Sequence, residues 1–179
     1  MTAHCTDAEK AAARRTLLAI DPGNTESGWV IVDTETCRPL KFGKTPNDDL
    51  LDQIDWGLAE CPVVIEMVAS YGMAVGAEVF ETCVWIGRFS EAARHYRFDR
   101  RLPALVKRHP IKLHHCHSAK ANDANIRQAL VDRFAHGEPN HGKGTKAAPG
   151  WFYGFAADVW AAYALAVYAV DTKVAEVAR

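Results

Sequence analysis

No apolar run in this sequence is long enough to cross a bilayer. The longest, Val159 to Val170, contains five alanines and falls short of the roughly 18 to 20 residues a span needs, so no membrane span is expected. A secretory leader is not expected either, because residues 1–15 carry Asp7, Glu9, Lys10, Arg14 and Arg15 with no apolar centre. They read as a helical extension, with Thr6 and Glu9 at capping-box spacing. There is no C-x-x-C pair. Cys5, Cys37, Cys61, Cys83 and Cys116 are odd in number and scattered, which suits a reducing compartment such as the cytoplasm better than a disulfide framework. Net charge is lacking too, with 21 Lys and Arg against 22 Asp and Glu. What is present, 179 residues of which 49% are hydrophobic and 24% charged, describes one ordinary globular domain over residues 16–179. A chain of this length buries about 70% of its unfolded surface and needs no structural metal to fold.

The near-zero total conceals a division along the chain. Residues 1–87 hold 6 basic and 14 acidic side chains, residues 88–146 hold 13 and 5, and residues 147–179 hold 2 and 3. The nets are −8, +8 and −1. Seven of the eight histidines fall in the middle block, among them His109, His114, His115, His117 and His141. Such a block is either the footprint of a polyanion-binding face or a solvated basic surface paired with the acidic half.

Thr16 to Ile20 (TLLAI) reads as a buried strand stopped by Asp21-Pro-Gly. Gly28 to Val32 and Leu40 to Lys44 follow across short polar turns, which predicts a three-strand antiparallel meander. Asn47 to Glu60 has helical spacing, and Pro62 to Ile65 is a fourth strand that ends, like the first, in an acid, Glu66. The next helix, Ala77 to His95, sets Phe80, Cys83, Val84 and Gly87 on one stripe. Leu102 to Lys107 is a fifth strand candidate. Ala124 to Phe134 is a helix with Ile126, Ala129, Leu130 and Phe134 inward. His136 to Gly150, rich in Gly and Pro, predicts a mobile loop, and an Ala-rich helix covers roughly Gly154 to Ala178. Strands first, then alternating helix and strand, predict one α/β domain with a mixed sheet.

Three carboxylates lie where a core does not want them. Asp21 and Glu66 each follow a buried strand at the end where open α/β sheets place ligands. As parallel neighbours their strands would lie about 4.8 Å apart, and two anions so close call for a divalent cation. Asp158 interrupts an otherwise apolar helix. The alternative roles are a turn residue for Asp21 and a helix-dipole partner for Asp158.

The segment Leu17 to Asp33, LLAIDPGNTESGWVIVD, resembles the first motif of the RuvC-like Holliday-junction resolvases, which have the ribonuclease H fold. Val63-Val-Ile-Glu66 and Ala156-Ala-Asp158 match later motifs in order. Ser70 to Phe89 (SYGMAVGAEVFETCVWIGRF), Ala119 to Phe134 and Pro149 to Gly154 look most like phage-encoded members. The resemblance implies a five-stranded mixed sheet, three strands antiparallel and two parallel, flanked by helices. It implies a homodimeric endonuclease cutting four-way junctions or other branched DNA with Mg²⁺ or Mn²⁺, two ions per site. Asp21, Glu66 and Asp158 match three of the family's metal-binding acids. The fourth ligand position is Phe155, so the ligand set departs from the family's, and a nearby histidine or substrate phosphate would have to complete it. Two-ion phosphodiester hydrolysis would leave 5′-phosphate and 3′-hydroxyl ends and needs no protein nucleophile.

Lys112 falls at a lysine position of the same pattern, while Asp123 stands where many members have a second lysine, with Lys120 nearby. Lys143 and Lys146, in the Gly-rich loop, are further DNA-binding candidates. The family's aromatic wedge falls nearest Ala69, which leaves Tyr71 or Met67 to keep a junction unstacked. The run His114-His115-Cys116-His117 has no zinc-site spacing and is expected at the surface or on phosphate. The helix around Phe80 to Phe89 is apolar on more than one side and is the candidate dimer seam. A junction-binding module without catalysis and an RNA or RNA–DNA hybrid nuclease of the same fold are the alternatives. Sugar kinases and chaperone ATPases share the opening pattern but need a second phosphate loop and a second lobe.

Overall fold

The computed structural model describes residues 15–58, 61–69, 72, 74–96 and 101–177. The expected N-terminal helical extension and Tyr71 lie outside the described residues. Strands β1 (Thr16–Asp21), β2 (Glu26–Asp33) and β3 (Pro39–Pro46) form the antiparallel meander. After helix α1 (Asn47–Gln53), strand β4 (Val63–Met67) pairs in parallel with β1. Helix α2 (Ala77–Tyr96) then leads to β5 (Ala104–Lys107), parallel to β4. Helices α3 (Arg108–Cys116), α4 (Asp123–Phe134), α5 (Ala157–Thr172) and α6 (Val174–Val177) complete the described chain. The sheet order is β3-β2-β1-β4-β5.

Period-two alternation divides the core between two faces. Leu17, Ala19, Val30, Val32 and Val64 point toward the side covered by α3, α4 and α5. Leu18, Ile20, Trp29, Val63 and Ile65 point toward α1 and α2. Being covered on both sides is why β1 reads as an unbroken apolar run. The small side chains of α5 let it lie close against β1 and β2, and at Gly28 there is no room for a side chain. A Cβ there would stand 2.5 Å from the Asp158 carbonyl oxygen.

Four expectations change. First, the predicted helix over residues 47–60 stops early: α1 ends at Gln53 and runs into an irregular turn, Ile54–Leu58, where Gly57 takes φ 103°. Second, of the stripe Phe80, Cys83, Val84 and Gly87 on α2, only Cys83 is half-buried and the rest faces solvent, with Phe80 62% and Val84 60% exposed. The buried stripe is Thr82, Ile86, Phe89 and Ala93, whose larger apolar members reach Leu18, Ile20 and Ile65. Thr82 can be inside because its hydroxyl donates to the Glu78 carbonyl at 2.8 Å. Third, the segment after α4 is folded. The Phe152 amide donates to the Gly142 carbonyl at 2.8 Å, Gly150 to Lys143 at 3.0 Å and Thr145 to Ala148 at 3.0 Å. Gly142, at φ 77°, sits against the Ala135 and Phe152 side chains where a Cβ would clash.

Fourth, the histidine run is only partly at the surface: His114, His115 and Cys116 are half-buried at the end of the additional helix α3, and His117, which caps it, is exposed. His114 Nε2 lies 2.7 Å from Asp171 Oδ2, which also takes Arg133. His115 Nε2 donates to the Ala164 carbonyl at 2.9 Å. Burial pushes the His115 pKa down to about 4, below its ordinary value near 6.5. Stability from neutral His115 is therefore complete above pH 6.5 and lost as pH falls toward 4. Thermal unfolding between pH 7 and 4 should show this loss, about 3 kcal/mol in all. His115→Gln, which still donates to Ala164, should flatten the profile; an identical profile would remove His115 as its source.

Candidate active site: carboxylates at the ends of β1 and β4

Asp21 is the last residue of β1, and Glu66 lies one step past Ile65 in β4. The register pairs Ile20 with Ile65, so the next residue on each strand, Asp21 and Glu66, emerge side by side. Asp158 arrives from the opposite layer, in the first turn of α5. Its backbone rests on Gly28, which is paired with Asp21 across the β1–β2 ladder. A side chain at position 28 would push α5, and Asp158 with it, away from the sheet.

Burial first and the Glu66 charge second push the Asp21 pKa up to about 7, and the charges of Asp158 and Asp123 add to this. Burial also raises Glu66. Two cations oppose these shifts. Arg108, the residue following β5, donates from Nη1 to Glu66 Oε2 at 3.0 Å and from Nη2 to Asp123. Lys112, one helical turn further along α3, adds positive charge at Glu66. Asp158 has its own partner, Lys44 Nζ at 2.9 Å, which is also 3.1 Å from Glu26.

Among the described residues, no three His, Cys, Asp or Glu side chains converge closely enough to hold one ion. Arg108 draws Glu66, and Lys44 draws Asp158, each with its own charge. In kind, however, the donors fit a hard divalent cation: hard carboxylate oxygens, two of them half-buried on adjacent strands and mutually repelling. Asp21 and Glu66 are the pair able to hold such an ion, with Asp158 facing them from α5. Phe155 contributes nothing to them. Its ring is 2% exposed and packs on Phe42 at 4.7 Å, Trp160 at 5.1 Å and Phe152 at 5.3 Å between centroids. His114 and His115 are engaged on the far part of α5 and do not replace it.

The remaining lysines are dispersed. Lys143 Nζ donates to the Phe155 carbonyl at 2.8 Å, tying the loop to the start of α5. Lys146 is exposed on that loop, and Lys120 is exposed beside a groove lined by His115, Cys116, Asn125 and Gln128. Sequence reasoning missed Arg108 and Lys44. Arg108 carried a weak signal, since it lies just past a strand candidate, Leu102 to Lys107; Lys44 carried none.

The raised Asp21 pKa has a stability consequence. The folded state holds a proton that the unfolded chain releases between about pH 4 and 7, so stability falls as pH rises through that window. In chelator, Asp21→Asn should therefore raise Tm at pH 8 by roughly 5 °C and change it little at pH 4. Equal Tm differences at the two pH values would show that Asp21 is not the group responsible.

No family model matches the chain, and no curated protein does. Solved structures do. A Thermus thermophilus RuvC structure in complex with a Holliday junction substrate superposes with a TM-score of 0.57 at 17% identity, covering 89% of this chain and 96% of that one. A second Thermus thermophilus RuvC structure gives 0.57 at 18% identity, covering 89% and 97%. The five-stranded mixed sheet with its flanking helices is thus the ribonuclease H-like fold that RuvC also has.

Proposed function

We propose that this chain is a metal-dependent endonuclease selective for branched DNA, four-way junctions above all, working as a homodimer. The observation that carries the reading is the pair Asp21 and Glu66, side by side on adjacent strand ends with Asp158 on the helix that faces them, in a fold shared with a junction-bound RuvC. Asp21 and Glu66, with Asp158, would hold the Mg²⁺ or Mn²⁺ ions. Bound there, the ions would supply the electrophilic activation that hydrolysis to 5′-phosphate and 3′-hydroxyl ends requires. Lys112, whose charge acts on Glu66, would meet a backbone phosphate there, and the exposed Lys146 and Lys120 would contact more distant ones. Lys143 joins them only by leaving the Phe155 carbonyl. A reducing cytoplasm is the expected setting, and the phrases from Ser70 onward suggest that of a phage-infected bacterium; no helix among the described residues is long and apolar enough to cross a membrane.

The second copy is assigned to the exposed Phe80 and Val84 face of α2. A junction presents two symmetric strands, so paired cutting needs two sites. A junction-binding role without catalysis is favoured by one observation, the absence of a converged three-ligand set among the described residues.

Purified protein with Mg²⁺ should nick a synthetic four-way junction far faster than linear duplex, and Asp21→Asn should lower the rate about 100-fold or more. Tight junction binding with no cleavage in Mg²⁺ or Mn²⁺ would establish the non-catalytic reading, and equal cutting of duplex would end the structure-selective one. Lys112→Ala should weaken junction binding and reduce the salt slope by about one; an unchanged slope removes Lys112 from the phosphate contacts. By sedimentation, Phe80→Glu should convert a dimer to monomer, whereas an unaltered dimer would place the seam elsewhere.

A further inference from the structure

Arg108 stands where the carboxylate cluster most needs a positive charge. It contacts Glu66 with one arm of its guanidinium and Asp123 with the other. The Arg108 and Glu66 side chains are only 19% and 15% exposed, whereas Asp123 is 83% exposed. A guanidinium does not leave by losing its proton, so a cation entering beside Glu66 meets the Arg108 charge already seated on Oε2, and it gains the whole carboxylate when Arg108 turns away. The surroundings allow that turn. Asp123 lies in the first turn of α4, where the helix N-terminus favours its charge. A small cleft lined by Arg108, Asp123, Arg127, Ala157 and Trp160 adjoins the pair. Arg127 is already stacked over Trp160.

We propose that Arg108 is an internal competitor for the divalent cation, a positioning residue that neutralises Glu66 in the ion-free protein. It yields Glu66 to the entering ion while Asp123 retains it. The proposal rests on the ion-binding reading above and concerns the protein before DNA arrives. It gives Asp123 a task in place of contacting DNA: by holding one arm of Arg108, it lowers the cost of releasing the other.

The test is calorimetric titration of Mn²⁺ into the full, metal-free chain at pH 8 without DNA. Arg108→Met should tighten Mn²⁺ binding about tenfold, the worth of one charged hydrogen bond. Asp123→Asn should weaken it in the wild-type background and have much less effect in the Arg108→Met background. Affinity in Arg108→Met equal to or weaker than wild type overturns the proposal. So does an equal effect of Asp123→Asn in both backgrounds, which would mark Asp123 as acting through its field alone. Should Arg108→Met fail to fold, Arg108→Lys carries the test. It keeps the charge but cannot fork between two acids, so affinity should rise by a smaller factor, and unchanged affinity overturns the idea. Mn²⁺ binding that is absent from wild type, or that survives Glu66→Gln, would instead remove the ion site itself.

Discussion

Parallel pairing of β1 with β4 is the constraint around which the molecule is arranged. It sets Asp21 and Glu66 on adjacent strand ends, in surroundings where burial and mutual repulsion make both charges unfavourable. A fold with such a pair must supply positive charge to it. The chain does so from α3 with Arg108 and Lys112, while Lys44 on β3 attends to Asp158. Each cation belongs to an element whose position follows from the sheet order, so electrostatics and topology are parts of one solution.

The side of the sheet that carries Asp158 is held with corresponding care. Glycine at position 28 permits the contact between β2 and α5, and the alanines of α5 keep the whole helix close. Farther along, Asp171 joins His114 of α3 and Arg133 of α4, and His115 donates to the Ala164 carbonyl. These links tie the helix bearing Arg108 and Lys112 to the helix bearing Asp158. His114 and His115 thus link α3 to α5.

Much of this was legible in the residues. Apolar runs ending in Asp21-Pro-Gly and in Glu66 marked two strands and two acids, because a strand buried on both faces leaves an unbroken apolar signature. Asp158 was visible as an acid on an apolar helix. Which face of α2 is buried was not legible, because that helix carries two apolar stripes and periodicity ranks them alike; the sheet face beneath selects Ile86 and Phe89. The hydrogen-bonded course of the segment after α4 was not legible, since composition registers its glycines and prolines but not the backbone hydrogen bonds they permit.

By itself the sequence determined the strand and helix alternation, the three acids and the separation of acidic from basic halves, all of which are local properties of neighbouring residues. Tertiary structure alone decided which cation faces which acid: Arg108 to Glu66 and Asp123, Lys44 to Asp158, Lys143 to a backbone carbonyl. Those pairings join residues from 12 to 114 positions apart, and no periodicity in a linear chain encodes a separation that only the sheet order and the close seat of α5 on Gly28 create.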